Sequence, residues 1–103
     1  MRITGHLAID DEELAGFCRR HGIVRLALFG SMLTGAFGPG SDVDLLVEFA
    51  PGRAPGLLGM SALERELSDL IGGHDVDLRT AGDLSPRFRD RVRDEARELY
   101  AAA

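Results

Sequence analysis

The hydrophobic positions of this chain repeat with two different periods, which predict helices in some segments and strands in others. Asp10 is a predicted helix N-cap, and Gly22 is the residue at which the first helix should end. Between them lies an apolar stripe with helical spacing, formed by Leu14, Phe17, Cys18 and His21. Apolar segments at residues 23–29 and 42–49 predict two strands, and the residues before Asp10 are expected to be short and extended.

The second half of the chain repeats this alternation. A second helix is predicted from about Leu57 to Ile71, before the stop signal Gly72-Gly73. Its predicted inner stripe consists of Met60, Leu63, Leu67, Leu70 and Ile71. A third strand is expected over residues 75–79, with Val76 and Leu78 facing the core.

A last helix is predicted to follow a cap at Asp83 or Ser85, with Pro86 tolerated in its first turn. Its expected buried line comprises Phe88, Val92, Ala96 and Leu99. Residues 31–37 are read as a short helix. Together these elements predict a small α+β fold, with a mixed sheet of three to four strands flanked by helices. The chain is long enough for one domain, residues 1–103.

Asp42 and Asp44 are candidate metal ligands at the start of the second strand. Side chains alternate faces along a strand, so both carboxylates point the same way, with Cα atoms about 6.5 Å apart. The apolar residues Val43, Leu45, Val47 and Phe49 take the other face. Carboxylates at this spacing can share one divalent ion or bridge two, and hard oxygen ligands suit Mg²⁺.

Gly30 and Ser31, at the end of the first strand, are candidate phosphate-binding residues. Glycine lets the backbone approach a ligand closely, and the serine hydroxyl with nearby backbone N–H groups can hold a phosphate. Ser31 meets the two aspartates only if the first strand ends where the second begins. We therefore expect these strands to be antiparallel neighbours.

Asp77 in the third strand is the candidate third carboxylate. If this strand lies beside the second, Asp77 approaches Asp42 and Asp44. Three carboxylates brought together without a cation repel one another strongly, which indicates a metal site. The alternative is that Asp77 is a surface residue on an edge strand.

These residues resemble the signature of the minimal nucleotidyltransferase (MNT) family, within the DNA polymerase β-like nucleotidyltransferase superfamily. The signature is Gly30-Ser31, ten residues, then Asp42-x-Asp44, and the resemblance continues through the Val76-Asp77-Leu78 strand. It implies the nucleotidyltransferase fold and transfer of AMP from ATP to a hydroxyl. It also implies two Mg²⁺ ions held by Asp42, Asp44 and Asp77, and nucleotide binding by Gly30 and Ser31.

The resemblance further implies a protein acceptor, because domains of this kind often act as antitoxins of a HEPN-family toxin. The hydroxyl would then be a tyrosine of that toxin, which is expected to be encoded by the adjacent gene. The chain departs from the family at Met32 and Thr34, where relatives commonly carry arginines. Arg53, Arg79 and Arg87 are the candidates for replacing that positive charge. The departure keeps an alternative open, a weakly active or inactive antitoxin that neutralises its partner by binding alone.

Charge and hydropathy exclude several other classes. The formal net charge is −5, which disfavours direct nucleic-acid binding and favours a basic protein partner. No apolar run approaches the roughly 20 residues of a membrane span, and no signal-like apolar segment opens the chain, so a cytoplasmic location is expected. The single cysteine, Cys18, lies in a core stripe and is expected to be a buried structural thiol.

Overall fold

The computed structural model describes residues 2–4, 7–29, 42–83 and 85–102. In chain order the elements are β1 (Arg2–Thr4), β2 (Leu7–Ala8), α1 (Asp11–Arg20), β3 (Ile23–Phe29), β4 (Val43–Phe49), α2 (Leu57–Leu70), β5 (Val76–Arg79), a 3₁₀ turn (Ala81–Asp83), α3 (Pro86–Glu95) and β6 (Arg97–Ala101). None of the helices in these ranges is long and apolar enough to cross a membrane.

A mixed four-stranded sheet organises the fold, in the order β5-β4-β3-β6. The pairs β3–β4 and β3–β6 are antiparallel, whereas β4–β5 is parallel. This arrangement confirms the predicted fold class and the predicted antiparallel pairing of the first two long strands. The short strands β1 and β2 pair with each other in a separate antiparallel hairpin.

The hydrophobic core lies between one face of the sheet and the two helices α1 and α2. Helix α1 packs on β3 and β6, and α2 packs on β5. The predicted stripes are confirmed, since the residues at their centres are at most 5% exposed. These residues are Leu14, Phe17 and Cys18 of α1 and Leu63 and Leu67 of α2. Each fully buried large apolar side chain contributes about 1.5–3 kcal/mol to folding, so these stripes anchor both helices.

The opposite face of the sheet carries a second, smaller apolar cluster. It consists of the buried side chains of Phe29 and Leu46, with Ala96 packed against them. Leu46 alternates with the core residues Leu45 and Val47, which places it on the face turned away from α1 and α2. Charged residues of the candidate site share this second face.

The ends of helix α1 are fixed by local interactions. The Asp10 carboxylate accepts a hydrogen bond from the Glu13 backbone N–H at 2.9 Å, which confirms the predicted N-cap. Beyond the helix, Gly22 has a φ of +69°. A Cβ at this position would lie 2.7 Å from Cβ of Arg53, so glycine is required both for the backbone conformation and for the packing.

The prediction for the last helix was wrong beyond Glu95. The helix ends at Glu95, and Leu99 lies in β6, where it packs against the core from an edge strand. The alternating charges of this segment also suit a helix surface, but pairing with the open edge of β3 satisfies its backbone groups and buries its apolar residues. The helix begins after Ser85, whose carbonyl accepts the Arg89 N–H at 2.8 Å.

Candidate active site

Asp44 is the second residue of the interior strand β4 and lies on the face opposite α1 and α2. Its neighbours Val43 and Leu45 are each 1% exposed in the core, whereas Asp44 is half-buried. Its register partner in β3 is Phe29, the last residue of that strand. The chain therefore leaves β3 directly beside this carboxylate.

Asp77 lies next to Asp44, because β5 runs parallel to β4 and pairs the two aspartates in register. Adjacent strands are about 4.8 Å apart. The following pair, Leu45 and Leu78, is buried in the core, so both aspartates point to the opposite face. Asp42 is exposed and immediately precedes β4.

Two hydrogen bonds hold β5 in this position. The Val43 N–H donates to the Asp75 carbonyl at 2.8 Å and joins the starts of the two strands. On the other edge of β5, the Leu78 N–H donates to Oε2 of Glu64 in α2 at 2.8 Å. The register that places Asp77 beside Asp44 therefore depends on backbone pairing and on a side chain of α2.

The electrostatics of the site show that the three carboxylates interact. Burial raises the pKa of Asp44 above its ordinary value, and the nearby charges of Asp77 and Asp42 raise it further. The Arg79 guanidinium opposes this rise. Asp44 therefore sits in a field that favours a proton or a cation on its carboxylate.

Asp77 is paired with Arg79, which follows it by two residues on the same face of β5. The Arg79 Nε and Nη2 atoms donate to Oδ2 of Asp77 at 3.2 and 3.1 Å. Alternation along a strand puts residues 77 and 79 on one face, but the sequence does not show which of the three candidate arginines lies at the site. Arg53 lies elsewhere, with Nη2 bonded to the Arg20 carbonyl at the end of α1.

The donor set has the chemistry of a divalent metal site, although the side chains are not arranged as one. Among the residues that the structure describes, no group of three His, Cys, Asp or Glu side chains is placed to hold a metal ion. Asp42, Asp44 and Asp77 nevertheless offer carboxylate oxygens from adjoining segments, which suit Mg²⁺. Arg79 engages only Oδ2 of Asp77, so an ion bound to Asp77 would either share the carboxylate with the guanidinium or displace it.

Gly30 and Ser31 lie outside the described residues, as does the segment 31–37 predicted to form a short helix. Their role in phosphate binding stays a prediction. The described residues establish only that Phe29, which precedes Gly30 in the chain, pairs with Asp44.

A known protein family matches most of this chain. A family model described as nucleotidyltransferase domain matches residues 12–99. The chain belongs to this nucleotidyltransferase family. The match includes α1 from Glu12 onward, every strand of the main sheet up to Leu99 of β6, and all three candidate carboxylates. As a member of this family, the protein is a nucleotidyltransferase.

Individual relatives support the assignment of this nucleotidyltransferase. The chain is 36% identical over 77 residues to a Methanocaldococcus jannaschii protein named putative protein adenylyltransferase MJ0435, covering 75% of this chain and 80% of the relative. A solved structure described as a putative minimal nucleotidyltransferase is 41% identical, with a TM-score of 0.68, and covers 84% of this chain and 85% of its own.

The fold also occurs in a toxin–antitoxin complex. That structure holds the tri-AMPylated HEPN toxin of Shewanella oneidensis with an MNT antitoxin. The similarity has a TM-score of 0.63 at 19% identity, and it covers 89% of this nucleotidyltransferase and 70% of the matched chain. At this level of identity the likeness concerns the fold alone.

Proposed function

We propose that this nucleotidyltransferase transfers AMP from ATP to a tyrosine hydroxyl of a HEPN-family toxin and thereby acts as its antitoxin. The observation that carries the proposal is the register pairing of Asp44 with Asp77 on the face of the sheet opposite α1 and α2, with Asp42 just before β4. The name of the archaeal relative supports adenylyl transfer to a protein. The AMPylated complex of similar fold supports a HEPN-type acceptor.

Asp42, Asp44 and Asp77 would hold two Mg²⁺ ions in this proposal. When bound, the ions would supply charge stabilisation on the triphosphate and would activate the acceptor hydroxyl. The metal dependence is supported by the electrostatics of Asp44, whose pKa is raised first by burial and then by the charges of Asp77 and Asp42. Most of the rate enhancement would come from positioning and charge stabilisation, as in other phosphoryl transfers.

The chain's own residues would orient the two reactants. Asp77 lies on an edge strand, so an acceptor hydroxyl can approach it from outside the sheet. It could take the proton of that hydroxyl as a general base. Gly30 and Ser31 would hold the terminal phosphates, in keeping with the exit of the chain from β3 beside Asp44. The bond broken lies between the α and β phosphates, and pyrophosphate leaves.

The experiment uses the purified protein, Mg²⁺, the product of the adjacent gene and ATP labelled on either the α or the γ phosphate. We expect the α label, and not the γ label, to appear on the partner, with a mass gain equal to one or more AMP groups. Asp44→Asn should abolish the label. Asp69→Asn serves as the matched control, because Asp69 is an exposed aspartate of α2.

The second candidate function is neutralisation of the toxin by binding alone. It is favoured by the pairing of Asp77 with Arg79 and by the absence of a metal-ligating triad among the described side chains. If Asp44→Asn and Asp42→Asn both still neutralise the toxin, and the partner gains no AMP, the binding function replaces the transferase proposal. Cytoplasmic ATP is the expected donor for the transferase function.

A further inference from the structure

Arg79 lies on β5 next to the candidate carboxylates and pairs with one of them, Asp77. It pairs in register with Leu46 of β4, two residues beyond Asp44, and its guanidinium returns along β5 to Asp77. Both of its hydrogen bonds reach the same oxygen, Oδ2, of Asp77. The side chain is 48% exposed, so the guanidinium remains accessible to a ligand.

Three other arginines of the described chain have partners elsewhere in the fold. Arg20 pairs with Glu66 at 3.3 Å, joining α1 to α2. Arg25 pairs with Glu98 at 3.0 Å, between β3 and β6. Arg53 bonds the end of α1. Arg79, in contrast, donates both of these hydrogen bonds to a carboxylate of the candidate site.

The pairing has a direct consequence for cations. The Arg79 guanidinium is hydrogen-bonded to the Asp77 carboxylate. Its positive charge also counters part of the rise in the pKa of Asp44. A divalent ion bound to Asp77 would compete with the guanidinium for the negative charge of the same carboxylate. Once displaced, the guanidinium would be a fixed positive charge beside the ions, and its planar donor fork suits phosphate oxygens.

We propose that Arg79 exchanges partners during nucleotide binding, from the Asp77 carboxylate in the free protein to the phosphates of the bound nucleoside triphosphate. The inference rests on the proposed function, because it assumes that metal and triphosphate bind at this face. Arg79 thus has two opposed effects, since it hinders binding of a metal ion alone and favours binding of the metal–nucleotide complex.

The test measures these two effects separately in the full-length protein. Binding of Mn²⁺ alone is followed by electron paramagnetic resonance, and binding of a non-hydrolysable ATP analogue with Mg²⁺ is followed by calorimetry. For Arg79→Ala we expect Mn²⁺ affinity to rise about threefold and analogue affinity to fall about tenfold, as befits loss of a charge-assisted hydrogen bond. Arg79→Lys, which retains the charge without the donor fork, should give intermediate values for both.

Arg25→Ala is the matched control, because it also removes a sheet arginine paired with a carboxylate, at the other end of β4. It should change neither affinity. If Arg79→Ala lowers both affinities, or leaves analogue binding unchanged, the exchange of partners is refuted. If the wild-type protein binds neither Mn²⁺ nor the analogue, the proposed function itself fails, and the two failures are therefore distinguishable.

Discussion

Replacement of Asp44 by asparagine should stabilise the metal-free protein at neutral pH. The folded state raises the pKa of Asp44 through burial first and then through the charges of Asp77 and Asp42. A carboxyl group whose pKa is higher in the folded than in the unfolded state stabilises the fold at pH values below its unfolded-state pKa. This stabilisation is lost as the pH rises through the folded-state pKa. At neutral pH the ionised Asp44 therefore destabilises the fold, and asparagine removes that charge at nearly constant shape.

The magnitude follows from the register of β4 and β5. Two unit charges about 5 Å apart repel by about 0.8 kcal/mol in water and by about 3 kcal/mol at the effective dielectric of a protein surface. The site is partly open to solvent, and Arg79 offsets part of the charge of Asp77. We therefore expect Asp44→Asn to gain about 1 kcal/mol, which corresponds to a Tm increase of about 4–8 °C for a domain of this size.

The assay is thermal unfolding followed by circular dichroism, in a chelator, from acidic to neutral pH. The difference between Asp44→Asn and wild type should be small near pH 4 and should grow as the pH rises. Asp90→Asn, an exposed aspartate of α3, is the control and should show no such gain. A lower Tm for Asp44→Asn at neutral pH, or a gain that does not depend on pH, would refute the electrostatic reasoning.

Three further predictions concern the scaffold. Gly16→Ala should stabilise the fold by about 0.5–1 kcal/mol through helix propensity. Gly59→Ala should destabilise it by about 1–3 kcal/mol, because the added Cβ would lie 2.5 Å from a proline ring carbon. Urea titration measures both changes. Glu64→Leu should cost about 1–3 kcal/mol by leaving the Leu78 N–H without its acceptor, whereas Glu64→Gln should be much milder in the same titration. Burial raises the pKa of the Cys18 thiol to about 12, so iodoacetamide at pH 8 should label it only after unfolding, as mass spectrometry can check.

Much of the fold could be predicted from local pattern because its main elements bury one face each. The stripe of α1 and the apolar run of β3 define their own inward sides, and Ile23–Phe29 has the bounds expected from the sequence. Alternation along β4 likewise placed Asp44 opposite Val43 and Leu45. In each case the information lies within a few residues of the chain.

The missed strand β6 depends instead on a distant partner. Its charged residues also suit a solvated helix face, and only the open edge of β3 makes the extended form preferable. The pairing of Arg79 with Asp77 has a local signal, because the two residues share a face. However, the sequence does not reveal whether the arginine turns toward Asp77, toward solvent or toward another carboxylate. The roles of Gly30 and Ser31 stay predictions.

The parallel pairing of β4 with β5 is the feature on which the candidate site depends. Parallel strands begin at the same edge of a sheet, so the second residue of each, Asp44 and Asp77, becomes a neighbour of the other. An antiparallel β5 would bring its start to the opposite edge and would separate the two carboxylates by nearly the length of β4.

Such a pairing requires a crossover that returns the chain over the full length of β4. The seven residues of β4 span about 23 Å, and the 14 residues of α2 span about 21 Å, so the helix supplies the return in one pass. Glu64 of this helix then bonds the outer edge of β5. Helix α2 therefore does more than fill the core, because it both returns the chain and holds the strand that carries Asp77. Substitutions that weaken its packing should impair the site without touching any of its carboxylates.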